Sequence, residues 1–167
     1  MFQIQIYFLI LGLFMLEVVV KEKLADYIGK ELDAGDWFTI TQDQVNTFAD
    51  ATLDHQFIHI DEEKAKETPF GGTIAHGFLT LSMLVHLTEN CSIVPENIVM
   101  GVNYGFDKVR FINPVRVGSE VRAKVTIADV THKDGGQILI KQAISVEIKG
   151  QDKPALIGEW LLMYVVA

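Results

Sequence analysis

One cysteine, Cys91, occurs in the 167 residues. No disulfide can form within the chain, nothing points to an oxidising compartment, and a cytoplasmic location is expected. Cys91 follows a helical pattern and reads as a small buried side chain. Positive charge is also scarce. The 14 Lys and Arg face 22 Asp and Glu, for a formal net charge of −8, which excludes a nucleic-acid-binding surface because that needs clustered cations. An anionic ligand would require a local basic patch. Long hydrophobic runs are missing as well: the apolar stretch 6–16 is interrupted at Glu17 before Val18–Val20, short of the roughly 20 residues of a membrane-spanning helix. No Lys or Arg precedes Lys21, so the positive n-region of a signal peptide is lacking. Phosphate-loop patterns and internal repeats are absent too.

With 49% apolar residues, the chain suits one well-buried domain, expected over residues 21–167. Residues 1–20 are read apart from it. The first reading is a start placed upstream of a true start at Met15; a membrane-associating segment comes second, and an added strand or a dimer-covering segment third.

Within the domain, Thr41-Gln-Asp-Gln44 fits a capping box. Val45, Phe48 and Ala49 then recur at helical spacing and predict a helix from about Gln42 to Ala51. Asp61–Lys66 reads as a solvated helical turn, and Pro69, Gly71 and Gly72 mark a loop. From Gly77 to Leu87, apolar residues fall nearly all round, so a helix buried on most sides is expected. Strand patterns follow Pro95: one through Val99–Phe111, then Val115, Val117, Val121, Ala123, Val125 and Ile127 in alternation. Lys133-Asp-Gly-Gly136 supplies hairpin-turn chemistry. Ile138, Ile140, Ala143 and Val146 come next, and Trp160–Val166 closes the chain. One buried helix beside several long antiparallel strands is an α+β arrangement.

Chemistry concentrates in two segments. In Ala51-Thr-Leu-Asp-His-Gln-Phe-Ile-His-Ile60, Asp54 and His59 form a carboxylate–imidazole pair able to hold and polarise one water. In Pro69-Phe-Gly-Gly-Thr-Ile-Ala-His-Gly77, Gly77 opens an apolar helix and can aim a backbone N–H at a developing oxyanion. Taken singly, Asp54 also suits a turn carboxylate and His59 a packed, hydrogen-bonded histidine. His55 and His59 have the spacing of zinc ligands on a helix, but no Glu follows His55, and no metal site is expected. His76 reads as support for the loop before Gly77, with substrate orientation as an alternative. Lys108, Arg110, Arg116 and Arg122 along the middle strands are either the solvated face of a sheet or cations for an anionic ligand.

The runs Phe48–Asp61, Pro69–Leu81 and Asn103–Phe111, in this order and spacing, resemble the MaoC-like, (R)-specific enoyl-CoA hydratase family. The likeness is greatest to the branch similar to nodulation protein N, and it extends from about Asp26 to the C-terminus. The family pattern Gly-Asp-x-Asn-Pro-aliphatic-His reads Leu53-Asp-His-Gln-Phe-Ile-His59 here. Asp54 and His59 thus fall on the family's catalytic pair. Gln56 replaces asparagine, Phe57 replaces proline, and Leu53 replaces a glycine whose backbone freedom leucine lacks. The resemblance implies a single hot-dog domain, an antiparallel sheet wrapped around a central helix, assembled as a homodimer or dimer of dimers. It further implies reversible hydration of a trans-2-enoyl-CoA to an (R)-3-hydroxyacyl-CoA. Asp54 and His59 would activate the water and the Gly77 N–H would face the thioester oxygen. Coenzyme A would be part of the substrate and no separate cofactor would be needed. A hot-dog thioesterase and a non-catalytic acyl-CoA-binding protein are the rival functions.

Overall fold

The computed structural model describes residues 16–167. The proposed start at Met15 and the apolar run ahead of it lie outside the described residues. Glu17–Val19 (β1) pairs in parallel with Ile93–Pro95 (β3), and a 3-10 helix, Lys21–Tyr27, joins β1 to the body of the domain. Phe38–Thr39 forms the short strand β2.

The capping box forms as its residues predict. The Gln44 N–H donates to the Thr41 hydroxyl, and the Thr41 N–H donates to the Gln44 side chain at 2.9 Å. Helix α1, Gln42–Thr52, follows and buries Val45 and Ala49 completely. Two single-turn helices come next: α2, Phe57–Ile60, and α3, Glu62–Lys66. Asp61 caps α3 by accepting from the Lys64 N–H.

The expected apolar helix is divided in two: α4, Gly77–Ser82, and α5, Leu84–Leu87. The Ser82 hydroxyl donates to the Phe78 carbonyl at 2.7 Å, a back-bond of the kind that bends helices. Leu79, Thr80, Leu84 and Leu87 face inward, whereas Phe78 (67%) and Val85 are exposed. Leu81 and Met83 are partly buried against the same core, so the helix is mostly buried as expected, with Phe78 and Val85 as its exposed apolar residues in the single chain.

The main sheet is antiparallel throughout, in the order β2-β5-β6-β7-β4, with β4 at Ile98–Phe111, β5 at Glu120–Lys133, β6 at Gln137–Ile148 and β7 at Leu156–Val166. β5 starts later than its apolar alternation suggests, because Arg116, between Val115 and Val117, bridges to Ile74 instead. Gly135 and Gly136, both at φ 72°, turn β5 into β6 as the hairpin chemistry requires. Val121, Ala123, Val125 and Ile127 of β5 and Ile138, Ile140, Ile144 and Val146 of β6 share one core with Leu79, Leu84 and Leu87. This is a single α+β hot-dog domain.

One detail departs from the sequence pattern. β6 keeps a strict period of two, so the inward row passes through Gln142 rather than Ala143. Gln142 is wholly buried, and its Nε2 donates to the Ser92 hydroxyl at 2.7 Å. Cys91 is buried as expected, its Sγ lies against the Leu87 carbonyl, and burial pushes its thiol up to about 11.

Candidate active site

Helix α1 ends at Leu53, which adopts a left-handed backbone (φ 61°, ψ 21°) and turns the chain out of the helix. Asp54 is the next residue and is exposed. α2 then carries His59 inward, where it is buried. Its Nδ1 lies 2.7 Å from the Ile74 carbonyl oxygen. A carbonyl can only accept, so Nδ1 holds the proton, and neutral His59 keeps the Nε2 lone pair free. Burial pulls the His59 pKa below the ordinary imidazole value. The Ile74 carbonyl opposes that shift, His76 reinforces it and Asp54 opposes it. His59 is therefore neutral near pH 7, with an acceptor nitrogen available.

His76, the N-cap of α4, stacks on His59 with ring centroids 3.7 Å apart and planes 25° apart. One ligand-type atom from each of Asp54, His59 and His76 falls within 4.8 Å of the others. Their distances would suit one metal ion, but the ring geometry does not. The in-plane lone pairs of closely stacked imidazoles, here with centroids 3.7 Å apart, lie in near-parallel planes, which is a poor arrangement for meeting at one tetrahedral centre. His55, whose spacing from His59 resembled a zinc pair, is exposed and pairs with Asp50 at 2.9 Å.

Gly77 begins α4. A cleft of about 310 Å³ lies beside it, lined among others by His59, Ile74, Gly77, Phe111 and Asn113. A Cβ at position 77 would stand 3.1 Å from the Phe111 ring, so glycine permits the close approach of strand end and helix start. The structure thus gathers Asp54 and His59 at one place, and puts His59 and Gly77 on one cleft.

Residues 23–149 match the family model described as MaoC like domain. The chain belongs to the MaoC-like domain family. Nodulation protein N of Rhizobium meliloti (strain 1021) is 45% identical over 141 residues, covering 83% of this chain and 86% of that one. The 3-hydroxyacyl-thioester dehydratase Z of Mycobacterium tuberculosis (strain ATCC 25618 / H37Rv) is 45% identical over 142 residues, covering 85% and 93%. The crystal structure of the MaoC-like dehydratase from Rhodospirillum rubrum superposes with a TM-score of 0.70 at 18% identity, over 89% of this chain and 98% of that one.

Three side chains that the sequence reading passed over hold this MaoC-like site together. Gln42, at the start of α1, donates from Nε2 to the His59 carbonyl at 2.7 Å and accepts the Thr73 hydroxyl at 2.7 Å. Glu62 of α3 accepts both the Thr73 N–H (2.9 Å) and its hydroxyl (3.0 Å), and these bonds hold the Glu62 carboxyl below its ordinary pKa. The Ile74 N–H donates to the Ile58 carbonyl. α1, α2, α3 and residues 73–74 are thereby fastened around His59. The only local sign of this was polar residues at places where charge or turn roles explain them equally well.

Of the four cations marked for an anionic ligand, Lys108 pairs with Glu159 and Arg122 with Glu147, as a solvated sheet face would. Arg116 donates to the Gly71 carbonyl, and Arg110 to the Val109 carbonyl.

Leu53 is 82% exposed in its left-handed conformation. That conformation costs an L-residue roughly 1–2 kcal/mol, and little packing would be lost by truncation. Leu53→Gly should therefore raise stability by about 1 kcal/mol even after glycine's extra unfolded-state entropy. A rise in Tm of about 2–4 °C in a thermal melt is expected; an unchanged or lower Tm would show that the turn carries no such strain.

Proposed function

We propose that this chain is a lyase that reversibly hydrates a trans-2-enoyl-CoA to an (R)-3-hydroxyacyl-CoA. The observation that carries the reading is a neutral, buried His59 with a free Nε2 acceptor, set beside the Asp54 carboxylate and on one cleft with Gly77. The name of the Mycobacterium relative, a 3-hydroxyacyl-thioester dehydratase, describes the same chemistry run in reverse.

In the forward direction, the His59 Nε2 takes a proton from water held between it and Asp54, and the hydroxide oxygen bonds to C3. The C2–C3 π electrons move to the thioester oxygen, which the Gly77 N–H receives as an enolate. The enolate re-forms the carbonyl while C2 takes the proton back from the pair. Water is added across the double bond with nothing oxidised or reduced, so no cofactor is required beyond the coenzyme A that the substrate brings. Asp54 also stabilises the imidazolium that His59 briefly becomes. A hot-dog thioesterase would call for an acid on or opposite the central helix, and α4 and α5 carry none.

Residues 21–167 form the catalytic domain in this reading, and the stretch 1–20 is an extension to it. No helix among the described residues is long and apolar enough to cross a membrane, and we place the reaction in the cytoplasm. The assembly is a homodimer formed through β4. Among the described residues this strand lies at the sheet edge, paired only with β7, and exposes Val99 (70%), Met100, Val102 and Tyr104. Such an edge is a template for a second copy of itself. Val99→Glu combined with Val102→Glu should shift the mass seen by light scattering from the dimer to the 18.7 kDa of one chain; a dimer that persists unchanged would place the interface elsewhere.

The decisive assay follows the enoyl-thioester absorbance of crotonyl-CoA and of a longer enoyl-CoA. Loss of the band without release of free thiol is expected. Thiol release would make the protein a thioesterase, and silence with both substrates would leave it a binding protein.

A further inference from the structure

We infer that His76 is a positioning residue for the Asp54–His59 pair, acting through the Asp54 main chain; this role rests on the hydratase reading. His76 is 3% exposed, and its Nε2 lies 2.9 Å from the Asp54 carbonyl oxygen, 22 residues earlier in the chain. The carbonyl can only accept, so the His76 proton sits on Nε2. Nδ1 is buried and has no hydrogen-bond partner among the described residues.

The bond matters because Asp54 has little else to hold it. It is exposed, follows a strained turn at Leu53, and among the described residues its side chain receives only a long 3.4 Å bond from the Gln56 N–H. His59, in contrast, is fixed at both its ring and its carbonyl. The His76 ring, with Phe48 on it at 5.1 Å, is packed firmly enough to transmit that order to Asp54. It also ties the Asp54 turn to the residue directly before Gly77. One side chain thus sets the distance between the water-activating pair and the oxyanion donor.

Three substitutions separate the donor from the ring. Gln places an amide N–H about where His Nε2 stands, Asn reaches only the Nδ1 position, and Phe keeps the stacked ring without a donor. With crotonyl-CoA, His76→Phe and His76→Asn should lose about 10²-fold in kcat, the scale of a small misplacement of a reacting group, with KM changed less than about threefold. His76→Gln should stay within about tenfold of wild type. Thermal melts run alongside. A purely structural role would lower Tm in all three and make Gln no better than Asn. Wild-type kcat in Phe, or equal losses in Gln and Asn, overturns the positioning role while leaving the hydratase reading intact. An inactive wild type removes the reading itself and this role with it.

Discussion

Asp54→Asn and His59→Asn should each lower crotonyl-CoA turnover by about 10²–10⁴-fold, the typical worth of a positioned acid or base, and the double variant should fall little further, because in the proposed mechanism the two groups act on one water. The two substitutions are chosen to spare the fold. Asp54 is exposed, so its neutral amide should change stability by no more than about 0.5 kcal/mol. At position 59, asparagine can keep an N–H directed at the Ile74 carbonyl, whereas alanine would leave that acceptor unpaired and open space against His76. Retained activity in either variant would remove the pair from the chemistry.

The pH profile belongs to the same prediction. In the proposed mechanism neutral His59 acts as the base, and burial is the largest influence lowering its pKa. Below that lowered value the imidazole is protonated and cannot accept, so the acidic limb of kcat/KM should lie below about 6.5, the ordinary imidazole pKa. Between the lowered value and 6.5 the unfolded chain binds more protons at this site than the folded one. His59 therefore costs stability as pH falls through that window and nothing above it. An acidic limb at or above 6.5 that disappears in His59→Asn would contradict a neutral buried base.

Gly77→Pro should reduce kcat by about 10²–10³-fold, as loss of one oxyanion donor does, without unfolding the protein. Position 77 is the first residue of α4, where proline is well accepted because the helix makes no use of that N–H. The preceding residue must be extended, and His76 already is, at φ −59° and ψ 138°. Gly77→Ala is the control. It keeps the N–H but places a Cβ 3.1 Å from Phe111, so the ring must give by a few tenths of an ångström. A kcat ratio near one between Ala and Pro would mean that crowding, not the lost donor, is what the enzyme feels. A much slower Pro variant with a similar Tm supports the donor.

What could be read in the sequence was what local chemistry decides. The Thr41–Gln44 box and the Gly135–Gly136 turn depend on residues a few places apart, and both appear where their letters put them. Asp54, His59 and Gly77 were marked by spacing and family resemblance; the fold sets Asp54 beside His59, and His59 and Gly77 on one cleft. The break at Met83, next to a Ser82 hydroxyl that donates to the Phe78 carbonyl, was not legible in the apolar spacing. Nor was the burial of Gln142, whose partner Ser92 lies 50 residues away. The ties of Gln42 and Glu62 to Thr73 likewise join positions 31 and 11 residues apart. The exposed faces of Phe78 and Val85 have the same origin: periodicity reports that a residue is apolar, not whether its own chain or another copy covers it.

The left-handed turn at Leu53 bears on how family membership is recognised. A motif written in letters records glycine there as though its identity mattered to the chemistry. This chain shows that the letter stands for a pair of dihedral angles, which leucine can also adopt at some energetic cost. A signature expressed as backbone geometry would keep sequences that a strict glycine requirement discards, and would rank them by strain rather than reject them.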